Sequence, residues 1–523
     1  MNASTHAPVY WDPYHPDIWK DPYPTFRRLR EESPLYYNEE HGFYALSRFE
    51  DVKSGLLDSA TFSSARGTIL EIIKANAELP ASLFIFQDPP VHTAYRRLLQ
   101  RIITPKRMNA LEQQIRDLCA QSMDPHVGTG RFDFITNLGA EMPMRVIGML
   151  LGIPEKDQQA VREFSDNALR AESGKPIEYD PANLSGAGMA AFDEYIEWRT
   201  RNPSDDIMTE LIHANFTDPN GTVRKLDHDE IIAIVNMVAG AGNETTNRLI
   251  GWTGKILAEH PDQRRDLARN PRLIPQAIEE LLRYESPGAV AGRVSTRDTE
   301  FYGRRIPAGS IMMLVFGSAN RDDRRFQDGD RFNIHREPRP HLAFGNGVHV
   351  CIGAALARLE GRVALEEVLK RFPDWEVDYD KTEMSATTTV RGWDSLPVFT
   401  SSARKTHSLV TAPVVAATLE TTQTVSIEGT WNLTVKGPTG PMPTELIIER
   451  NGDTLTGLQS GQGMSEPISD LKFDGKNLSW INHVKKPVKL KLECSGLIEG
   501  NAISGKMKAG FMGSYPFTGT KAP

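Results

Sequence analysis

The sequence predicts a mainly α-helical domain with small β-sheets, followed by an all-β antiparallel domain, a small barrel or sandwich. Three observations predict it. Apolar residues recur at helical spacing through long segments up to about residue 400. A Ser/Thr/Ala-rich stretch with no stable period, SSARKTHSLVTAPVVAATLETTQTV, then breaks the pattern. From about residue 425 strict alternation takes over, punctuated by the turn pairs of RNGDT, FDGKN and IEGNA. The expected organisation is a helical domain over 1–402, a linker over 403–424 and a β-domain over 425–523.

In chain order, MNALEQQIRDLCAQSM, MPMRVIGMLLGIP, DHDEIIAIVNMVAGAGNETTNRLIGWTGKILAEH and LIPQAIEELLRYE read as helices. Asp227 and Glu230 form a capping box at the start of the longest. GFYALSR, TEFYGRRIPAGSIMMLVF and LPVFT read as strands. Beyond the linker, TELIIER, VKLKLEC and AISGKMKAG fit half-buried strands joined by tight turns.

Composition excludes several function classes. A formal net charge of -8 argues against a general nucleic-acid binder. Cys119, Cys351 and Cys494 are the only cysteines and make neither a C-x-x-C pair nor a disulfide framework, which points to reduced thiols. The N-terminus lacks an apolar signal region and no apolar run is long enough to span a membrane, so a cytoplasmic protein is expected.

Cys351 stands between a glycine-rich loop and a helix, in HLAFGNGVHVCIGAALARLEG. Ile352, Leu356, Leu359 and Val363 make the apolar stripe of that helix. A helix N-terminus favours an anion, and Gly345, Gly347 and Gly353 leave room for a flat ligand near the backbone. A thiolate so placed is a metal ligand or a nucleophile. His349 is two residues away, poor geometry for a nucleophile–base pair. Zinc needs more ligands, whereas haem iron needs one on its proximal face. Taken alone, Cys351 reads most economically as a small buried hydrophobe.

FGNGVHVCIG changes that reading. Phe344 seven before the cysteine, Gly347 four before and His349 two before resemble the haem-binding loop of the cytochrome P450 family. The resemblance runs from about Asp12 to Thr400. It implies haem b, with Cys351 as iron ligand and Phe344 and Gly353 in the haem-binding loop. AGNETT in the long helix resembles the family's oxygen-activating stretch, which implies that Thr245 hydrogen-bonds bound oxygen and Glu244 relays protons from water. Asn243 before that acid also occurs in relatives acting on steroids and methyl-branched lipids. His92, Arg96, Arg293 and His349 match the family's haem-propionate partners, since two buried carboxylates need charge-assisted hydrogen bonds. Glu280 and Arg283, three apart on one helix, resemble its Glu-x-x-Arg pair, with Arg336 as third member in a structural role.

The resemblance implies a monooxygenase that inserts one atom of O2 into an apolar small molecule of steroid, terpenoid or lipid type. SPGAVAG and SLFIFQDPP are expected walls of the substrate pocket. The β-domain has one cysteine and no G-x-G-x-x-G, so electrons are expected from a separate ferredoxin and ferredoxin reductase. Arg96, Arg97, Arg101, Arg358 and Arg362 are the expected basic patch for that acidic partner. A peroxygenase fed by hydrogen peroxide, or a haem-based sensor or carrier without turnover, are the alternatives; the acid–hydroxyl pair counts against both. The β-domain opens with a Gly-x-Trp that loosely resembles lipocalin-like barrels, and a binding or assembly module is expected there.

Overall fold

The computed structural model describes residues 7–76, 78–155, 158, 190–385, 390–400, 427–437, 440–451, 454–461, 464–473, 476–484, 490–508 and 514–522. The expected linker, 403–424, lies outside the described residues. The chain divides into two compact units, Met1–Val410 and Thr411–Pro523.

In the first unit, six helices position the site: α1 (Val91–Ile102), α2 (Glu112–Met123), α3 (Met142–Leu151), α4 (His228–Glu259), α5 (Ile274–Tyr284) and α6 (Ala354–Arg371). The capping box forms on α4: Asp227 accepts from the Glu230 N–H, and Glu230 accepts from the Asp227 N–H. This helix of 32 residues is about 48 Å long and runs through the core. Gly242 allows α3 to pack closely on it; a Cβ there would lie 2.4 Å from Ile147 Cδ1. The segment read as one helix from Met108 is in fact two, Pro105–Asn109 and α2. Between them the Ala110 and Leu111 amides turn back to the carbonyls of Lys106 and Met108, closing the first helix.

A five-stranded sheet flanks the helices. Its strands are β1 (Leu35–Asn38), β2 (Phe43–Leu46), β3 (Phe62–Ser63), β4 (Ala291–Ser295) and β5 (Ile311–Leu314), in the order β1-β2-β5-β4-β3. β5 runs parallel to β2 and antiparallel to β4, pairing Met312 with Arg293. Arg293 is thus carried on an inner strand.

Glu280 and Arg283 of α5 form a buried bidentate pair at 2.7 and 2.8 Å, and Arg336 Nε donates to the same carboxylate at 3.1 Å. Arg283 also donates to the carbonyls of Asn320 and Gly329, so the cluster ties α5 to the chain before the Cys351 loop. With every polar atom answered, the buried charges are supported rather than stranded.

The second unit is a closed antiparallel barrel of eight strands: β6 (Gly429–Gly437), β7 (Gly440–Asn451), β8 (Thr454–Gly461), β9 (Met464–Phe473), β10 (Asn477–Val484), β11 (Leu490–Glu499), β12 (Ala502–Lys508) and β13 (Ser514–Lys521). Each strand pairs with the next, and β6 pairs with β13 from Trp431↔Lys521 to Val435↔Phe517. Closure removes the exposed edges. Trp431, Leu433, Leu446, Trp480 and Phe517 fill the interior, and Trp480 Nε1 donates to Gln459 Oε1 at 2.9 Å.

Candidate active site

The site is built from the loop before α6 and the middle of α4. The Cys351 N–H donates to the Phe344 carbonyl at 2.8 Å, which closes the loop. Gly345 and Gly347 take positive φ of 70° and 71°, and a Cβ at Gly347 would lie 2.7 Å from the Leu56 carbonyl oxygen. Cys351 itself stands just ahead of the helix, which begins at Ala354 with Gly353 at the N-cap position. This shifts the expected helix start, so Ile352 belongs to the loop. Burial raises the Cys351 thiol above the usual cysteine value, opposed by the Gly353 N–H and the charges of Arg96 and Arg358.

A cavity of about 360 Å³ separates this loop from α4. Phe344, Cys351 and Gly353 line one side, Ala241, Gly242, Thr245 and Thr246 the other, with His349 and Arg293 also in its wall. Phe84, Ile85, Pro287, Gly288 and Ala291 bring in both expected pocket segments. The Thr245 Oγ1–H donates to the Ala241 carbonyl one turn back at 2.8 Å. Glu244 is buried but not part of the cavity wall. Its carboxylate accepts from Arg248 at 3.1 Å, and Arg248 also binds Asp394, Ser385 and the Trp393 carbonyl.

Four basic groups converge beside the cavity. His92 and Arg96 lie on the buried face of α1, and the His92 ring centre is 4.3 Å from that of His349. Both His92 nitrogens, His349 Nε2 and Arg96 Nε are buried without a hydrogen-bond partner. Arg96 donates instead to the Val350 carbonyl, and Arg293 to that of its neighbour Gly292 at 2.7 Å. Burial lowers His92 to about 4; burial, then Arg293, His92 and Arg96, lower His349 to about 3. Orphaned buried donors gathered around two arginines demand an anion. The residues therefore fit a flat dicarboxylate group: donors for its carboxylates, a thiol facing the cavity, and glycines where a Cβ would fill the cradle. At Gly353 a Cβ would meet only Cys351 Sγ, at 3.9 Å.

Sequence reasoning missed Glu360. It lines the cavity from α6, is 1% exposed, leaves Oε1 without a partner and is raised by burial to about 8, against the bond with Thr246. The available signal was an acid one turn past Leu356 in the apolar stripe. The expected docking patch needs correction. Arg358 is held by Glu279 at 2.7 and 3.0 Å, and Arg362 by Glu112 at 2.6 Å and Glu366 at 3.0 Å. Arg101 donates to the Asn215 carbonyl, Arg96 is buried, and Arg97 alone of the five is exposed with no partner among the described residues. Acidic side chains thus claim Arg358 and Arg362, Glu279 and Glu112 from other helices and Glu366 from one turn further along α6.

A helical fold with a cysteine loop facing a long central helix defines a haem-thiolate class of protein, and the comparisons carry it to a family. The Cytochrome P450 family profile matches residues 190–393. Cytochrome P450 130 of Mycobacterium tuberculosis is 35% identical over 392 residues, covering 73% of this chain and 95% of that protein. A vitamin D(3) 25-hydroxylase of Pseudonocardia autotrophica is 33% identical, covering 76% and 98%. Among solved structures, cytochrome P450 CYP109Q5 from Chondromyces apiculatus superposes with a TM-score of 0.66 at 32% identity, covering 75% and 98%. CYP109E1 from Bacillus megaterium, in complex with testosterone, gives 0.64 at 29%, covering 74% and 99%. The chain belongs to the cytochrome P450 family, whose members are haem b monooxygenases. Among the described residues no helix is long and apolar enough to cross a membrane.

Proposed function

We propose that the chain hydroxylates an apolar small molecule of steroid, terpenoid or lipid type, using O2 and electrons from a separate ferredoxin and ferredoxin reductase in the cytoplasm. One observation carries this reading: Cys351 and Thr245 face each other across a single largely apolar cavity. A vitamin D hydroxylase and a testosterone complex among the similar proteins agree with such a substrate.

Haem b, when bound, supplies the iron that activates O2 with two electrons and two protons. Cys351 Sγ, as the thiolate, would hold the metal; the Gly353 N–H and the charge of Arg96 favour that ionised form. His92, Arg96, Arg293 and His349 would hold the two carboxylates of the haem, with Phe344 and Gly353 lining the cavity that would receive it. Thr245 Oγ1 can turn from the Ala241 carbonyl to donate into the cavity, and Glu244, held by Arg248, accepts and returns protons behind it. The apolar wall excludes bulk water. The barrel is proposed as a binding or assembly module.

The test is spectral titration of haem-loaded protein with steroids, terpenoids, fatty acids and aromatics. A shift of the Soret band with one apolar class is expected; no shift with any class overturns the substrate reading. A reduced, carbon-monoxide-treated sample lacking the red-shifted thiolate band overturns the role of Cys351. The peroxygenase alternative is favoured only if hydrogen peroxide drives turnover faster than ferredoxin and reductant. Removal of residues from 410 onward is expected to leave haem binding and turnover intact; loss of haem incorporation overturns the proposed boundary.

A further inference from the structure

A second, smaller chamber of about 130 Å³ shares two wall residues, Thr68 and Ala291, with the large cavity. Its wall is strongly aromatic, with Trp11, Tyr14, Trp19 and Phe26. One acid there, Glu71, has no answering charge. Glu71 is 8% exposed, its Oε1 is buried without a hydrogen-bond partner, and it forms no ion pair among the described residues. The group set against it is the neutral, buried Tyr14 hydroxyl, which carries no countercharge. The other charges in the wall are engaged elsewhere. Arg391 donates to Glu285, Tyr23 and the Lys20 carbonyl, and Asp12 accepts from the Tyr14 N–H and pairs with His41.

A buried carboxylate without a countercharge is costly, and aromatic faces present negative charge. Both features favour a cation, and the one cation in the wall, Arg391, is committed to Glu285. We propose that this chamber receives a positively charged nitrogen at one end of the substrate, whose apolar body passes the Thr68–Ala291 border into the large cavity. The border suits passage because both side chains are small; the Gly292 N–H, donating to the Thr68 carbonyl at 2.7 Å, fixes it in place. The proposal rests on the reading that the large cavity takes an apolar substrate. It narrows that class to molecules with an ammonium or quaternary amine end.

The test compares dodecyltrimethylammonium, which has no free electron pair for iron, with 1-dodecanol and dodecanoate on the haem-loaded full chain. Calorimetry reads affinity and the Soret band reads occupation of the large cavity. The wild type is expected to bind the cation at least about tenfold more tightly than the alcohol, and the carboxylate most weakly. Glu71→Gln should bring cation and alcohol within about twofold without changing alcohol affinity, while Glu71→Asp keeps a preference for the cation. No preference in the wild type, or a preference that survives Glu71→Gln, overturns the proposal. If Glu71→Gln fails to fold, the wild-type comparison decides alone. A calorimetric preference without any Soret response would leave the chamber standing and sink the large-cavity reading instead.

Discussion

Exchange of Arg293 for methionine should stabilise the haem-free protein and weaken its hold on haem. Arg293 is 5% exposed on an inner strand, and it donates to the carbonyl of its own neighbour Gly292. Burial, opposed by the charge of Asp88, lowers its pKa from the ordinary arginine range to about 10. A base whose folded value is lowered opposes folding while it is charged. The penalty is in full force below about pH 10 and fades as pH rises toward the unfolded value. At about 1.36 kcal/mol per pH unit it comes to about 3 kcal/mol at neutral pH. Methionine matches the side chain in length and carries no charge. With haem bound, the guanidinium regains a partner, and a charge-assisted hydrogen bond is worth roughly 1.5–3 kcal/mol, or roughly 10- to 150-fold in affinity. Urea melts of the haem-free protein and haem titration of the same samples read the two effects. The exposed Arg297→Met serves as a control that moves neither. Stability and haem affinity falling together would refute the reasoning, because Arg293 would then be packing the sheet; unchanged haem affinity would refute it as well.

Thr245→Ala should uncouple the reaction, with oxygen consumed at a higher ratio to product; unchanged coupling in an oxygen-electrode assay with product quantitation removes the role given to that hydroxyl. Gly242→Ala should cost about 1–3 kcal/mol, because its Cβ would meet Ile147 Cδ1 at 2.4 Å and Cγ1 at 2.8 Å, and the added Ile147→Val, which deletes only the first of these, should restore part of the loss in a thermal melt. Glu360 has a folded value of about 8 against an ordinary 4.5, so the folded protein holds a proton that the unfolded chain releases. Its contribution to stability should therefore fall by about 5 kcal/mol as pH rises from about 4.5 to about 8, and Glu360→Gln should flatten that part of the pH profile; an unchanged slope refutes the protonated state.

The sequence alone determined what short-range chemistry settles. The capping box at Asp227 and Glu230 set the start of α4, and the pair GN, Gly500 and Asn501, set the turn between β11 and β12, because each is decided by hydrogen bonds and backbone sterics within a few residues. The loop from Phe344 to Gly353 was legible because its parts are contiguous. Tertiary structure decided the rest, since it requires groups far apart in the chain to meet. The ring contact of His92 with His349, the claim of Glu279 and Glu112 on Arg358 and Arg362, and the tie of Arg248 to Asp394 all follow from packing of helices and sheet. Burial had the same origin: nothing next to Glu360 or Glu71 in the chain marks either acid as buried, and only the fold removes them from water. Local order is a property of neighbours in the chain, whereas the free energy of a buried charge depends on whatever the completed fold places around it.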